Sequence, residues 1–179
     1  MIALADTRKI ARVLCLGAHS DDIEIGCGGT ILRLAAEARQ RGAGLEVMWV
    51  VFSADATRQA EARRSADLFL TDARSKEVAV HSFRDGFFPS NSAQIKDIFE
   101  GFKGRFAPDL IFTHCREDLH QDHALLASLS WNTFRNHLIL EYEVPKYDGD
   151  LGRPGTFVAL DKATCQRKVT NLINNSYVE

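Results

Sequence analysis

Between Leu16 and Thr30 the chain reads LGAHSDDIEIGCGGT, and the stretch His19–Glu24 carries one imidazole and three carboxylates. A second polar run, LHQDH, spans Leu119–His123. His19 and Asp22 stand three apart just after an apolar run, so both can turn toward one point. Imidazole and carboxylate together suit a divalent transition metal, zinc first. The simpler alternative is that Asp21 and Asp22 cap the helix that follows and favour its positive end. His120 and His123 are also three apart and share a face at the start of a helix; alone, they read equally well as two solvated histidines. Together the two runs offer His, Asp and His, three protein ligands with a fourth position open, the pattern of catalytic zinc. Asp21 and His120 are left over, and a hydrolytic metal site needs a base for water and a donor for the developing oxyanion.

The elements that must position these residues alternate regularly. Strands are expected over Ala11–Gly17, Leu45–Ser53, EVAVHSF, Pro108–His114 and HLILEYEV, with a short last strand over TFVAL. Helices are expected over Gly28–Gly42, where Ile31, Leu34, Ala35 and Ala38 share a face, and over Thr57–Leu70, SAQIKDIFEGFKGR and Gln121–Phe134. DGFFPSN reads as a turn. This order predicts an α/β fold, Rossmann-like, with a mostly parallel sheet and helices on both faces. No repeat, linker or low-complexity segment divides residues 1–179, so a single domain is expected. Ligands of open parallel sheets bind beyond the carboxyl ends of the strands. The first strand ends directly before AHSDD and the fourth shortly before REDLHQDH, so both runs should emerge on one edge.

Other residues carry weaker signals. Arg58 and Glu61 open the second helix as an i,i+3 ion pair, yet Arg58 follows a strand and is also placed to bind a substrate oxygen. Glu117 and Asp118 read as loop carboxylates, with Asp118 or Asp122 placed to orient His120. His81 reads as structural, and His114 and His137 suggest no chemistry. GCGGT invites a phosphate cradle and hence a nucleotide-binding rival. Its order is G-x-G-G, however, and the preceding Asp21, Asp22 and Glu24 would repel a pyrophosphate; these glycines are expected to let the helix pack closely against the metal loop.

Composition excludes several classes. The 179 residues are 45% hydrophobic and 26% charged with a net charge of −2, an ordinary globular profile without the basic patch of a nucleic-acid binder. None of the four cysteines forms a C-x-x-C pair, and Cys15 reads as a buried small hydrophobe. A reducing, cytoplasmic setting is expected, with no secretory leader pattern and no run near the ~20 apolar residues of a membrane span. YEVPKYDGDLGRP, Tyr142–Pro154, reads as a specificity loop or an interface loop between subunits, which leaves a homo-oligomer open.

AHSDDIEIGCGGT and HQDH, each after a strand and in this order, resemble the LmbE/PIG-L family of zinc-dependent N-deacetylases, whose hallmarks are A-H-P-D-D and H-x-D-H. The resemblance spans about Val13 to Leu160, including PDLIFTHCREDL. It implies zinc, or another divalent transition metal, on His19, Asp22 and His123, with Asp21 as general base. His120 would stabilise the tetrahedral intermediate and Arg58 would contact substrate. It further implies hydrolysis of a linear amide bond in an N-acetylglucosaminyl glycoside or glycoconjugate, releasing acetate and a free amine. Two departures stand out. Ser20 replaces the usual proline, from which slightly looser ligands are expected. Family members commonly continue into a segment that walls the cleft, so this chain reads as short at its C-terminus. A non-catalytic, shortened metal- or sugar-binding descendant is the alternative.

Overall fold

The computed structural model describes residues 7–147 and 149–174. The ends of the chain and Asp148, within the Tyr142–Pro154 loop, lie outside the described residues. Five strands form one sheet: β1 (Arg12–Gly17), β2 (Glu46–Val51), β3 (Ser75–Val80), β4 (Leu110–His114) and β5 (Leu138–Tyr142). All pairs are parallel and the order is β3-β2-β1-β4-β5. The chain builds outward from β1 to β3, then crosses to β4 on the other side of β1. The order therefore reverses between β1 and β4, and the crevice at their carboxyl ends is the place where such sheets bind ligands.

Strand alternation sorts the core into two layers. Val13 and Cys15 of β1 join the side covered by α2 (Gly28–Gln40), α3 (Ala56–Phe69) and α6 (Lys162–Ile173). Leu14 and Leu16 face the opposite side, covered by α4 (Ser92–Arg105) and α5 (Gln121–Thr133). The expected α/β architecture is thus present, with helices on both faces. Gly42 closes α2: at φ +68° it takes the left-handed conformation, and the amides of Gly42 and Ala43 bond back to Arg39 O and Ala38 O at 3.0 Å each.

Three expectations are corrected. TFVAL is not a strand: the Arg33 guanidinium donates to Ala159 O at 2.7 Å and Leu160 packs at Gly29, so this segment is bound to α2 and not to a sheet ladder. The third strand stops at Val80, after which an antiparallel Ser53–Ser82 bridge and the bonds of the Ala54 amide to His81 O and the Phe83 amide to Phe52 O hold the segment. Two helices add to the expected set. One is the short α1 (Asp22–Gly26), between the first acidic run and α2. The other is α6, whose N-cap, Asp161, accepts from the Thr164 amide at 2.7 Å.

α6 is held mainly by polar ties. Arg167 meets Asp72 at 2.5 Å, Asp72 also meets Arg39 at 2.6 Å, and Lys168 donates to Ile25 O at 2.7 Å. Only Asn171 of the helix is fully buried, while Val169 and Ile173 stay exposed.

The glycines after α1 serve close packing. A Cβ on Gly26 would meet the Tyr142 ring, on Gly28 the Phe69 ring and on Gly29 the Leu160 side chain. Because Tyr142 is buried and its hydroxyl donates to Leu16 O at 2.7 Å, the ring has little freedom to give way. Gly26→Ala is expected to destabilise the fold by about 1–3 kcal/mol, read as a lowered urea midpoint with an unchanged slope.

Candidate metal centre

β1 ends at Gly17 and the chain turns through Ala18–Asp21 into α1. Asp22, the first residue of α1, is buried, and its Oδ2 accepts from the His19 amide at 2.6 Å. Asp21 occupies the N-cap position but makes no side-chain capping bond, while Asp22 stands in the first turn of α1, so of the simpler alternative only the carboxylate at the positive end is present. Ser20, at the position of the usual proline, is buried in the same turn. On the neighbouring strand, β4 leads through Cys115–Leu119 to α5, which His120 caps: its Nδ1 accepts from the Asp122 amide at 3.3 Å, placing the ring proton on Nε2.

The two runs converge. His19 Nδ1 lies 3.1 Å from His123 Nε2 and 3.4 Å from Asp22 Oδ2, and His123 Nε2 lies 3.5 Å from Asp22 Oδ1. Ligands at about 2.0–2.1 Å from a tetrahedral zinc stand roughly 3.3–3.4 Å from one another; the three residues approach to about this spacing, with one Asp22 oxygen toward each imidazole. The tautomers fit as well. His123 Nδ1 pairs with Asp118 Oδ2 at 2.9 Å and His19 Nε2 with Asp85 Oδ1 at 3.0 Å. Each imidazole thus gives one nitrogen to a carboxylate and turns the other inward, the usual support for a metal-binding histidine. Among the described residues three groupings bring one ligand atom of each member close enough to share an ion: His19–His120–His123, His19–Asp85–His120–Asp122 and Asp22–His114–His123. His114 Nε2, however, already accepts the Ala18 amide at 3.0 Å, and the Nε2 of His120 carries that ring's proton. His123 belongs to two of these groupings, one shared with His19 and the other with Asp22.

Electrostatics agree with a cation at this point. Burial alone would raise the Asp22 carboxyl, but His114, His19 and His123 around it hold it well below the usual carboxylate range. Burial would also lower His19, yet Asp22, Asp85 and Asp122 outweigh it and push the imidazole up to about 9. The surrounding carboxylates thus favour positive charge at this point. His123 is driven the other way, to about 4, by burial and by His114 beside it, which keeps its Nε2 lone pair available. Burial, then the Asp22 carboxylate, raises the Asp21 carboxyl.

Around this centre opens a cleft of about 710 Å³, whose wall includes Asp21, Arg58, His120 and Lys146. Arg58 pairs with Glu61 at 3.3 Å and also lines the cleft. Asp118 does not orient the His120 ring. It accepts the His120 amide at 2.8 Å and orients the His123 ring instead. Asp122 is fully buried and accepts the amides of Gly86 and Phe88 at 2.7 and 3.0 Å, fixing the loop that carries Asp85. His114, read as inert from the sequence, forms the floor: fully buried, it stacks on His123 at 3.8 Å and lies 3.3 Å from Asp22. Its place at the carboxyl end of β4 was the available signal. Asp85, also unforeseen, follows β3 on the same edge. His81 is structural, stacked on Phe52 at 5.4 Å.

The model of the PIG-L family, GlcNAc-PI de-N-acetylase, matches residues 14–134, a range that begins in β1 and includes both runs. The chain belongs to the PIG-L family. Among solved structures, an N,N'-diacetylchitobiose deacetylase from Pyrococcus horikoshii superposes with a TM-score of 0.70 at 19% identity, over 99% of this chain and 75% of that one. A deacetylase of the teicoplanin biosynthesis pathway gives 0.67 at 16% identity, over 93% and 84%. A 4-carboxy-2-hydroxymuconate hydratase from Pseudomonas putida gives 0.65 at 18% identity, over 95% and 80%. These likenesses establish that the fold is that of PIG-L deacetylases, and the hydratase shows the same scaffold in a protein of different activity. No curated protein matches the sequence. Among the described residues no helix is long and apolar enough to cross a membrane.

In this PIG-L protein the Ala18 amide depends on His114 for its bond. His114→Phe preserves the stacking ring and removes the acceptor, leaving a buried N–H unpaired. A loss of about 1–3 kcal/mol in stability is expected, measured by equilibrium urea unfolding.

Proposed function

We propose that the protein is a metal-dependent N-deacetylase that hydrolyses the amide of an N-acetylglucosaminyl-type glycoside or glycoconjugate, releasing acetate and a free amine. The observation that carries this reading is the mutual 3.1–3.5 Å approach of His19 Nδ1, Asp22 and His123 Nε2, with Asp21 and His120 on the same cleft and outside that trio. His19, Asp22 and His123 would hold the ion, zinc first, which when bound supplies Lewis acidity and lowers the pKa of water to about 7.

The remaining chemistry falls to the chain. Asp21, with no capping bond to satisfy and a carboxyl raised by burial and by Asp22, takes a proton from the attacking water. The water oxygen bonds to the acetamide carbon. His120, its Nδ1 occupied by the Asp122 amide, turns Nε2–H toward the carbonyl oxygen as charge develops there. When the C–N bond breaks, the proton held by Asp21 passes to the departing nitrogen, so a neutral amine and acetic acid form, and the acid gives its remaining proton to Asp21 or solvent as acetate leaves. Arg58 on the cleft wall offers donors to a sugar oxygen. The glycine run after α1 is used in packing against Tyr142, Phe69 and Leu160, which weighs against the nucleotide-binding rival.

Asp21→Asn is expected to keep zinc uptake and to cut acetate release from N-acetylglucosaminides by about 10²–10⁴-fold; unchanged turnover would remove Asp21 from the mechanism. His123→Ala is expected to lose zinc and activity together, and full zinc in that variant would overturn the ligand set. Chelation should abolish acetate release and added zinc restore it. Zinc uptake with no acetate released from any N-acetylglucosaminide would instead favour the non-catalytic reading.

A further inference from the structure

The carboxylate that orients His123 is itself held by a lysine from a different part of the cleft. Asp118 is buried and divides its two oxygens. Oδ2 faces His123 Nδ1 at 2.9 Å, while Oδ1 accepts the His120 amide at 2.8 Å and meets Lys146 Nζ at 3.0 Å. Lys146 stands in the loop after β5, and its Nζ also meets Asp150 Oδ2 at 2.5 Å. Asp150 Oδ2 in turn accepts the Leu119 amide at 2.8 Å. One ammonium is therefore gripped by two carboxylates, and each of those carboxylates also holds a backbone amide of the segment leading into α5. The Lys146 side chain is only 16% exposed, yet it forms part of the cleft wall.

We propose that Lys146 is a positioning residue that, through Asp118, locks the cleft-wall loop and the inward-facing nitrogen of His123 into one unit. This rests on His123 being a metal ligand. An aspartate that receives His Nδ1–H keeps the imidazole's other nitrogen aimed and electron-rich. It does so well only if its own direction is fixed, and a carboxylate buried without a countercharge is costly. Lys146 supplies both the countercharge and the direction. Removing it leaves Asp118 Oδ1 with the His120 amide alone and no countercharge, which loosens the hold on His123. The same link runs outward: a ligand that presses on the loop reaches His123 through two polar contacts, so occupancy of the cleft and strength of metal binding are coupled.

The test compares the parent with Lys146→Met and Lys146→Arg. Zinc affinity is read by competition with a chromophoric chelator, and the ligand field by the visible spectrum of the cobalt(II)-loaded protein. Circular dichroism checks that each variant folds. Lys146→Met is expected to bind zinc about 10-fold more weakly, the lower end for loss of an outer-shell partner, with an altered cobalt spectrum. Lys146→Arg, which restores the charge and donors, should recover most of both. If Lys146→Met does not fold, Lys146→Gln carries the same comparison with a several-fold loss expected. Parent-level zinc affinity and an unchanged cobalt spectrum in the folded uncharged variant would overturn the proposal while leaving the metal centre standing. A parent protein that takes up neither zinc nor cobalt would overturn the metal centre, and the proposal with it.

Discussion

Parallel pairing of β1 with β4 is the constraint on which the site depends. Val13, Leu14 and Cys15 lie opposite Leu110, Ile111 and Phe112, and both strands then run on to the same edge of the sheet. Ala18 arrives where His114 Nε2 accepts its amide, and the two loops beyond deliver His19 and Asp22 from one side and His123 from the other. A slip of one residue would move the loops by about 3.3 Å and turn each side chain to the opposite face. The site residues would then no longer meet, and each core layer would receive the side chains meant for the other. Burial of Leu14 and Leu16 on one face and of Val13 and Cys15 on the other therefore sets the geometry of the chemistry as well as the stability of the sheet.

Once the strands are in register, charge organises what lies at their ends. A buried carboxylate, Asp22, is surrounded by three imidazoles, and two of these are held from behind by Asp85 and Asp118. Opposite shifts in the two candidate ligands follow: His19, facing Asp22, Asp85 and Asp122, is raised, and His123, buried beside His114, is lowered. Two chemically identical side chains thus acquire different roles from their surroundings alone. Asp122, which at first sight belongs with the ligands, is spent on the Gly86 and Phe88 amides and keeps Asp85 in place.

Much of this arrangement is legible in the amino-acid sequence. HSDD and HQDH each follow a strand closely, and short strand-to-helix connections leave few directions in which their side chains can point; hence the convergence of His19, Asp22 and His123 can be foreseen. The parallel sheet is legible for the same reason, since fully buried strands such as LIFTH carry unbroken apolar runs. His114 is not, because a histidine ending such a run looks like part of it, and its acceptor role depends on Ala18, 96 residues away. Asp85 and Asp118 are ambiguous because a carboxylate does not reveal by spacing which ring it supports. The segment after β5 misleads: TFVAL alternates like a strand, but Arg33 and Gly29 draw it onto a helix. α6 carries apolar residues at helical spacing but leaves Val169 and Ile173 exposed, so its pattern does not announce a core-facing helix.

That last helix has a consequence of its own. Its attachment relies on Arg167 and Arg39 sharing Asp72, on Lys168 reaching Ile25 O, and on partial burial of Leu172. The two arginines, despite some desolvation, hold the Asp72 carboxyl below its ordinary value, with the Arg167 bond leading. Stability from this tie is present above the carboxylate's unfolded range and is lost as pH falls through its lowered value; being near the surface, it is also screened by salt. The two apolar layers that cover the sheet rest on burial and not on such a tie. Amide exchange should accordingly divide the molecule into a slow centre and a C-terminal helix that opens on its own, detaching first in acid or brine while β1 and β4 stay paired.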